Sequence, residues 1–189
     1  MFKGNKKVEK PTTPSQLNTF IAPKIEVRGD FSGEGAVQIE GTLHGDITVT
    51  SVVIGENGTV NGMINAKNVI INGTLNGSVF SNNLEIMENG KVANEVKVKT
   101  VLISGQVDGA IESSDTITID NTGSVTASTM KSKNIVVNGA FKGNVIASEL
   151  LEIGANGSVE GEITVKNIKT QEGGKLLGSM QIYEESTRA

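Results

Sequence analysis

The chain contains one histidine, His44, which is the first residue to consider as a catalytic base. Acyltransferases built on stacked β-coils use a histidine in this way. In the later repeats of this chain, however, the corresponding positions hold Asn76, Asp108 and Lys142. Because the residue type changes from repeat to repeat, we interpret His44 as an outward-facing surface residue. No catalytic residue is predicted.

Carboxylates, glycine-rich strings and metal ligands are the other groups that could carry chemistry. Glu149 with Glu152, and Asp115 with Asp120, are acidic pairs, but no such pair recurs on one face of the repeats. The Gly-Xaa-Gly strings open no helical segment, which argues against a phosphate-binding loop. The absence of cysteine excludes disulfides and cysteine-based metal sites and is typical of a reducing compartment. No cofactor and no metal site are predicted.

The N-terminal segment contains side chains suited to bind a membrane surface. Met1, Phe2, Lys3, Lys6 and Lys7 place one aromatic side chain beside three lysines. A phenylalanine can enter a bilayer interface while each lysine near anionic headgroups contributes roughly 1 kcal/mol. One copy would bind marginally, whereas an assembly carrying many copies would gain by avidity. The alternative is a solubilising segment in which Phe2 has no role.

Composition and charge narrow the class of protein. The 189 residues suffice for one domain, but aromatic residues make up only 3%, too few for an ordinary globular core. The net charge of −4 gives no reason to expect nucleic acid as a partner. Residues 1–24 hold five lysines and one glutamate, so a tail of +4 precedes a body of −8. No apolar run predicts a transmembrane helix or a signal peptide.

A repeat of aliphatic residues and glycines organises the rest of the chain. The first aliphatic residue of the repeat recurs at a nearly constant interval, and the second follows alternately four and six residues later. Because short and long turns alternate, the repeating unit is a pair of turns. The first aliphatic residues are Ile39, Ile54, Ile71, Ile86, Ile103, Ile119, Val137 and Ile153, and Thr170 takes the next place.

Short alternating runs between glycines predict strands, because no segment keeps a helical period for three turns. A period of roughly 16 or 17 residues allows three short strands per coil, stacked in parallel about 4.8 Å apart. We therefore predict an all-β fold, a single-stranded parallel β-helix (β-solenoid) of about nine coils over residues 25–183. Residues 1–24, which contain all three prolines, are predicted to be a flexible tail, and residues 184–189 a short C-terminal tail.

Two finer features of the solenoid follow from the same pattern. Glycines such as Gly58, Gly90 and Gly157, each preceded by asparagine, are expected at corners with positive φ. The first coil is expected to be irregular, because Ile39 follows Val27 too closely to fit the repeat interval.

The two ends of a solenoid expose strand edges and core residues, and this sequence offers no amphipathic helix to cover either end. Uncovered ends predict pairing with further copies of the chain, which gives a filament without any need for a nucleotide. The residues predicted to form the polymerisation interface are Val27, Phe31 and Val37 at one end, and Leu176, Leu177, Met180 and Ile182 at the other.

Over residues 25–183 these repeats resemble the core of bactofilins, the polymer-forming bacterial cytoskeletal proteins. The resemblance is carried by the phrases IGENGTVNGMI, IINGTLNGSV and VVNGAFKGNV. The start, MFKGNKK, is similar to the membrane-targeting sequence of many bactofilins, which assigns the membrane role to Met1, Phe2, Lys3, Lys6 and Lys7. Family cores have fewer coils than the core predicted here. Interface positions of the family therefore cannot be assigned to this chain by counting coils from one end, and we interpret Phe141 as a core residue.

The resemblance implies a right-handed, triangular β-helix with disordered tails that forms nucleotide-independent, non-polar filaments through its ends. It also implies a scaffold on the inner face of the cytoplasmic membrane, with copies of itself, an anionic membrane surface and cell-wall enzymes or cell-shape proteins as partners. The alternatives are a monomeric solenoid enzyme, which needs a recurring acidic or histidine cluster, and a monomeric binding module, which should show a secretion signal or regular threonine arrays.

Overall fold

The computed structural model describes residues 18–184. Within that range the chain forms strands and no helix, so none of the described residues belongs to a helix that could span a membrane. The strands pair in parallel in one continuous sheet that winds through about ten coils. The prediction of an all-β parallel solenoid is confirmed, with a coil number close to the expected nine.

The 18 strands of the described range follow one another in chain order. They are β1 (Asn18–Ile21), β2 (Glu26–Arg28), β3 (Phe31–Ser32), β4 (Ala36–Ile39), β5 (Thr42–His44), β6 (Ile47–Ile54), β7 (Thr59–Asn61), β8 (Ile64–Ile71), β9 (Thr74–Asn76), β10 (Val79–Ile86), β11 (Lys91–Ala93), β12 (Val96–Ile103), β13 (Gln106–Asp108), β14 (Ile111–Ile119), β15 (Ser124–Val137), β16 (Ala140–Ile153), β17 (Ser158–Thr170) and β18 (Lys175–Ile182).

Stacking of the coils places like residues above like in the core. We call one such column the isoleucine ladder, and nearly all of its members are buried completely. It consists of Ile21, Ile39, Ile54, Ile71, Ile86, Ile103, Ile119, Val137, Ile153 and Thr170. Apart from Ile21, this is the set of residues that the sequence repeat predicts. Phe141, predicted as a core residue, is 2% exposed.

The first coil is regular, and the expectation of an irregular one is wrong. Ile21 pairs with Ile39 and stands six residues before Val27, which continues the alternation of six-residue and four-residue spacings. Strand β1 thus lies inside residues 1–24, where a flexible tail was expected. The strand is easy to miss, because Ile21 is the one buried residue among residues 19–21 and because Pro23 occupies the turn that follows the strand.

Positive φ occurs at a different corner from the expected one. Gly58, Gly90 and Gly157 do not have positive φ. They are glycines because a Cβ there would collide with a backbone carbonyl oxygen of the preceding coil, that of Ile39 in the case of Gly58. In most coils positive φ is found instead after a short strand, as at Gly62 after β7, and at the expected corner it occurs only at Lys24 and Gly173 among the described residues.

Replacement of Gly90 by alanine tests this account of the corners. A Cβ at position 90 would meet the carbonyl oxygen of Ile71 and lie 2.8 Å from a methyl group of Ile86. Relieving the overlap must shift two stacked coils, so we expect Gly90→Ala to lower the free energy of unfolding by about 1–3 kcal/mol. Urea denaturation followed by circular dichroism measures this. The control is Glu88→Ala in the same turn, where the side chain is exposed, and equal stabilities of the two variants would contradict the account.

Candidate functional site at the ends of the solenoid

The N-terminal end of the solenoid is a row of strands that are paired on one side only. Strand β1 pairs with β4, β2 with β5 and β3 with β6, and no described strand lies on their other edge. Phe20 and Ile25 are 56% and 50% exposed at this end, and Val27 and Phe31 are half-buried against the core. The end therefore presents both unpaired backbone groups and apolar side chains.

The C-terminal end also combines an unpaired strand edge with exposed apolar side chains. Strand β18 pairs only with β17, so Leu176, Met180 and Ile182 stack on the coil before them and have no described coil above them. Met180 and Ile182 are 55% and 79% exposed although they occupy inward-facing positions. Leu177 points outward at 59% exposed, and Ile168 adds a further exposed aliphatic group. An unpaired, apolar strand edge is a template for pairing with another chain.

Six of the seven residues predicted for the polymerisation interface lie at these two ends, and their role in assembly stays a prediction. Val37 does not lie at an end. It is 4% exposed beneath β1, where it pairs with Thr19, because the first coil begins earlier than expected. The sequence analysis missed Phe20, Ile25 and Ile168. The interval between Ile21 and Ile39 matches the repeat, so it could have revealed the first coil and with it Phe20.

The predicted membrane-binding residues Met1, Phe2, Lys3, Lys6 and Lys7 lie outside the described residues. Among residues 18–184, no group of three histidine, cysteine or acidic side chains is placed to hold a metal ion. His44 is exposed, and its Nε2 lies 3.4 Å from the Glu26 carboxylate.

A shallow trough on the side of the solenoid is the best candidate for a ligand pocket among the described residues. It has a volume of about 690 Å³, and its lining includes Asn68, Ile70, Leu102 and Thr116. Glu85 is the one titratable side chain in this lining. A lone exposed carboxylate does not make the acid–base pair that hydrolysis or acyl transfer requires.

One polar network fastens the last coil to the coil before it. Lys169 donates to Glu152 at 2.8 Å, and Gln171 donates to the same oxygen at 3.2 Å. The hydrogen bond from Lys169, followed by that from Gln171, holds the pKa of Glu152 below its ordinary value of 4.5. Glu152 is therefore charged at neutral pH, and its contribution to stability is lost only as the pH falls through this lowered pKa.

A solenoid with apolar, unpaired strands at both ends belongs to the class of proteins that are built to associate with further protein chains. The family model of bactofilins, described as polymer-forming cytoskeletal, matches residues 19–104 and again residues 97–181. The chain therefore belongs to the bactofilin family and is a polymer-forming cytoskeletal protein, which confirms the resemblance seen in the repeats. A search of curated proteins and a search of solved structures each returned no match.

The network at Glu152 leads to a prediction about the last coil. Glu152→Gln removes the charge that holds Lys169, so we expect faster amide hydrogen exchange in β18 and the end of β17 at neutral pH, with little change in the first coils. Hydrogen–deuterium exchange with mass spectrometry measures this. Glu149→Gln, at an exposed glutamate of the same coil, is the matched control. Equal exchange in the two variants would show that the network does not hold the coil.

Proposed function

We propose that this bactofilin is a structural scaffold whose filaments form by end-to-end contact, need no nucleotide and are non-polar. The observation that carries the proposal is that both ends of the described solenoid are unpaired strand edges bearing apolar side chains. The side faces are different, because their strands are already paired on both edges with neighbouring coils. Contact between ends is therefore the arrangement that buries the most unpaired backbone.

The free energy of such assembly comes from burial and backbone pairing alone. Each apolar side chain that becomes buried contributes about 25 cal/mol for every Å² removed from water. Parallel or antiparallel strand pairing also satisfies the hydrogen-bonding groups of the two edges. No step of this process requires hydrolysis, which is why the proposal includes neither a nucleotide nor a catalytic residue.

We further propose that the filament lies on the inner face of the cytoplasmic membrane, bound through Met1, Phe2, Lys3, Lys6 and Lys7. The support is the sequence itself, in which an aromatic side chain and three lysines begin the chain. Polymerisation would multiply this weak anchor, because each added subunit brings another copy to the same surface. A membrane-bound filament would then position cell-wall enzymes or cell-shape proteins.

Replacing apolar side chains of the C-terminal end by charged ones tests the assembly proposal. Leu176→Arg with Met180→Arg places two charges where apolar contact is expected, so the protein should remain a folded β-rod but no longer polymerise. Circular dichroism checks the fold, and sedimentation at high speed should show a loss of at least about tenfold in pelleted protein.

The control for this variant is Met63→Arg with Leu102→Arg, at two exposed apolar residues on the side of the rod. It should pellet like the unmodified chain. Pelleting that is unchanged in the C-terminal variant would mean that the C-terminal end is not an assembly surface.

The membrane proposal has its own test. Phe2→Ala should abolish co-sedimentation of the filament with liposomes that contain anionic lipid, because the lysines alone supply only a screened surface attraction. Val8→Ala in the same segment is the control and should bind as before. Liposome binding that survives Phe2→Ala would remove this side chain from the mechanism.

A further inference from the structure

The shallow trough on the side of the solenoid runs along the rod axis between two rows of side chains. One row is polar and consists of Asn68, Asn83, Thr100 and Thr116, which the strand register places one above the other. Asn83 Nδ2 donates to Asn68 Oδ1 at 2.9 Å, and Thr100 Oγ1 donates to Asn83 Oδ1 at 2.9 Å. Because these hydrogen bonds stay within the row, an apolar ligand can lie against it without breaking them.

The other row places an aliphatic side chain on each side of a carboxylate. It consists of Ile70, Glu85, Leu102 and Thr118, again one above the other. Leu102 is 39% exposed, and away from the two end coils it is the one large apolar residue within a described strand that is so exposed. Ile70 lies two coils from Leu102, about 9.6 Å along the axis. The trough thus offers an apolar site with a single negative charge in its middle.

The first 17 residues of the chain have the complementary chemistry. They contain four lysines and one glutamate, a net charge of +3, and the aromatic side chain of Phe2 stands next to Lys3 in the sequence. The basic residues Lys67 and Lys99 precede the polar row in their strands, so they lie on the side of that row away from Glu85. A lysine beside Glu85 therefore meets the acidic side of the trough.

The start of the chain is also within reach of the trough. Asn18, where the described solenoid begins, stands in the same column as Asn68 of the polar row. Glu85 lies four strand spacings above this first coil, about 19 Å along the axis. Phe2 and Asn18 are 16 positions apart. A random-coil chain of about 16 residues has a root-mean-square end-to-end distance of about 20–24 Å, and a fully extended one reaches about 53 Å. The required span matches the first of these values, which gives a high effective concentration of Phe2 at the trough.

We propose that the trough is the docking site of the chain's own N-terminal segment, with Phe2 between Ile70 and Leu102 and with Lys3 beside Glu85. This inference rests on the proposed function, because it takes Phe2 to be the membrane anchor, and it adds a regulation of that anchor. Phe2 cannot occupy the trough and a bilayer at the same time. The docked segment therefore holds the anchor off the membrane, and membrane binding requires its release.

The competition lowers the apparent affinity for the membrane in proportion to the fraction of chains whose segment is free. If the segment is docked in about four chains of five, the free fraction is about one fifth, and the apparent affinity falls about fivefold. The attraction between Lys3 and Glu85 is screened by salt, whereas the contact of Phe2 with two aliphatic side chains is not. Docking should therefore persist at physiological salt.

The chain has no tryptophan, so Phe2→Trp introduces a single indole that reports docking in the full chain. Without lipid, its emission maximum should lie at a shorter wavelength than that of indole in water, and it should be protected from quenching by acrylamide. Adding Ile70→Gln with Leu102→Gln should shift the emission to that of an exposed indole and remove the protection. Met63→Gln with Met87→Gln, at two exposed side chains outside the trough, is the matched control and should change neither signal.

A single substitution covers the case in which circular dichroism shows that the double trough variant does not fold. Leu102→Lys replaces one exposed apolar side chain by a charge that repels the lysines of the segment, and it should also expose the indole of Phe2→Trp. Met87→Lys is its control. An indole that is exposed when the trough is intact would overturn the proposal, and so would one that stays protected in the folded trough variants.

Flotation with vesicles of phosphatidylcholine and phosphatidylglycerol tests the competition in chains that keep Phe2. Ile70→Gln with Leu102→Gln should bind these vesicles about fivefold more tightly than the unmodified chain. Met63→Gln with Met87→Gln should bind like the unmodified chain. Equal affinities of the two double variants would contradict the competition, because they would show that an intact trough does not hold the anchor back.

The outcomes distinguish this inference from the proposed function. If Phe2→Ala binds the vesicles like the unmodified chain, the membrane role of Phe2 fails, and the regulation of an anchor fails with it. If Phe2→Ala loses vesicle binding while the trough variants change neither the indole signals nor the vesicle affinity, the membrane anchor stands and docking in the trough is wrong. Exposure of the indole together with tighter vesicle binding in the trough variants establishes the docking.

Discussion

The structure depends on the hydrogen bonding of each strand to the equivalent strand of the next coil. The parallel register places isoleucine on isoleucine through the core, and it excludes a Cβ at glycines such as Gly58, where the carbonyl oxygen of the previous coil comes too close. The same pairing has no natural end, because every coil offers an edge to a further coil. The unpaired strand edges at both ends of the described residues are thus a direct consequence of the interaction that builds the fold.

This constraint also explains where the apolar side chains of the chain are exposed. In the interior, ladder residues such as Ile86 and Ile103 are fully buried between two neighbours, whereas Met180 and Ile182 in inward positions of the last coil are more than half exposed. The difference is that no described coil lies above these two residues, rather than a different residue type. The chain belongs to a polymer-forming family, and we propose that a further copy of the chain continues the pairing at these edges.

The fold could be predicted from the sequence because the spacing of the aliphatic residues repeats the geometry of the coil, and every predicted member from Ile39 to Thr170 stands in one ladder. The two end coils were harder to predict than the interior, because a departure from the aliphatic spacing in a terminal coil has no second copy in the sequence to compare it with. Prolines close to Ile21 argued against a strand there, so the first coil was not predicted. Val37 was therefore assigned to the end surface, and Phe20 was not. The sequence could not show why a glycine is required at position 58, because the Cβ of any other residue would collide with a residue of another coil, Ile39. The order of inward residues around the last coil emerged only from the register of β17 and β18.

Negative-stain electron microscopy of the purified chain, without nucleotide or metal, tests the central claim most directly. Assembly through both ends predicts unbranched filaments one solenoid wide. With like ends paired, the axial repeat should be about 100 Å, twice the length of ten coils at roughly 4.8 Å each. Single rods of about 50 Å that stay separate at high protein concentration would contradict the account, because they would show that the ends do not pair.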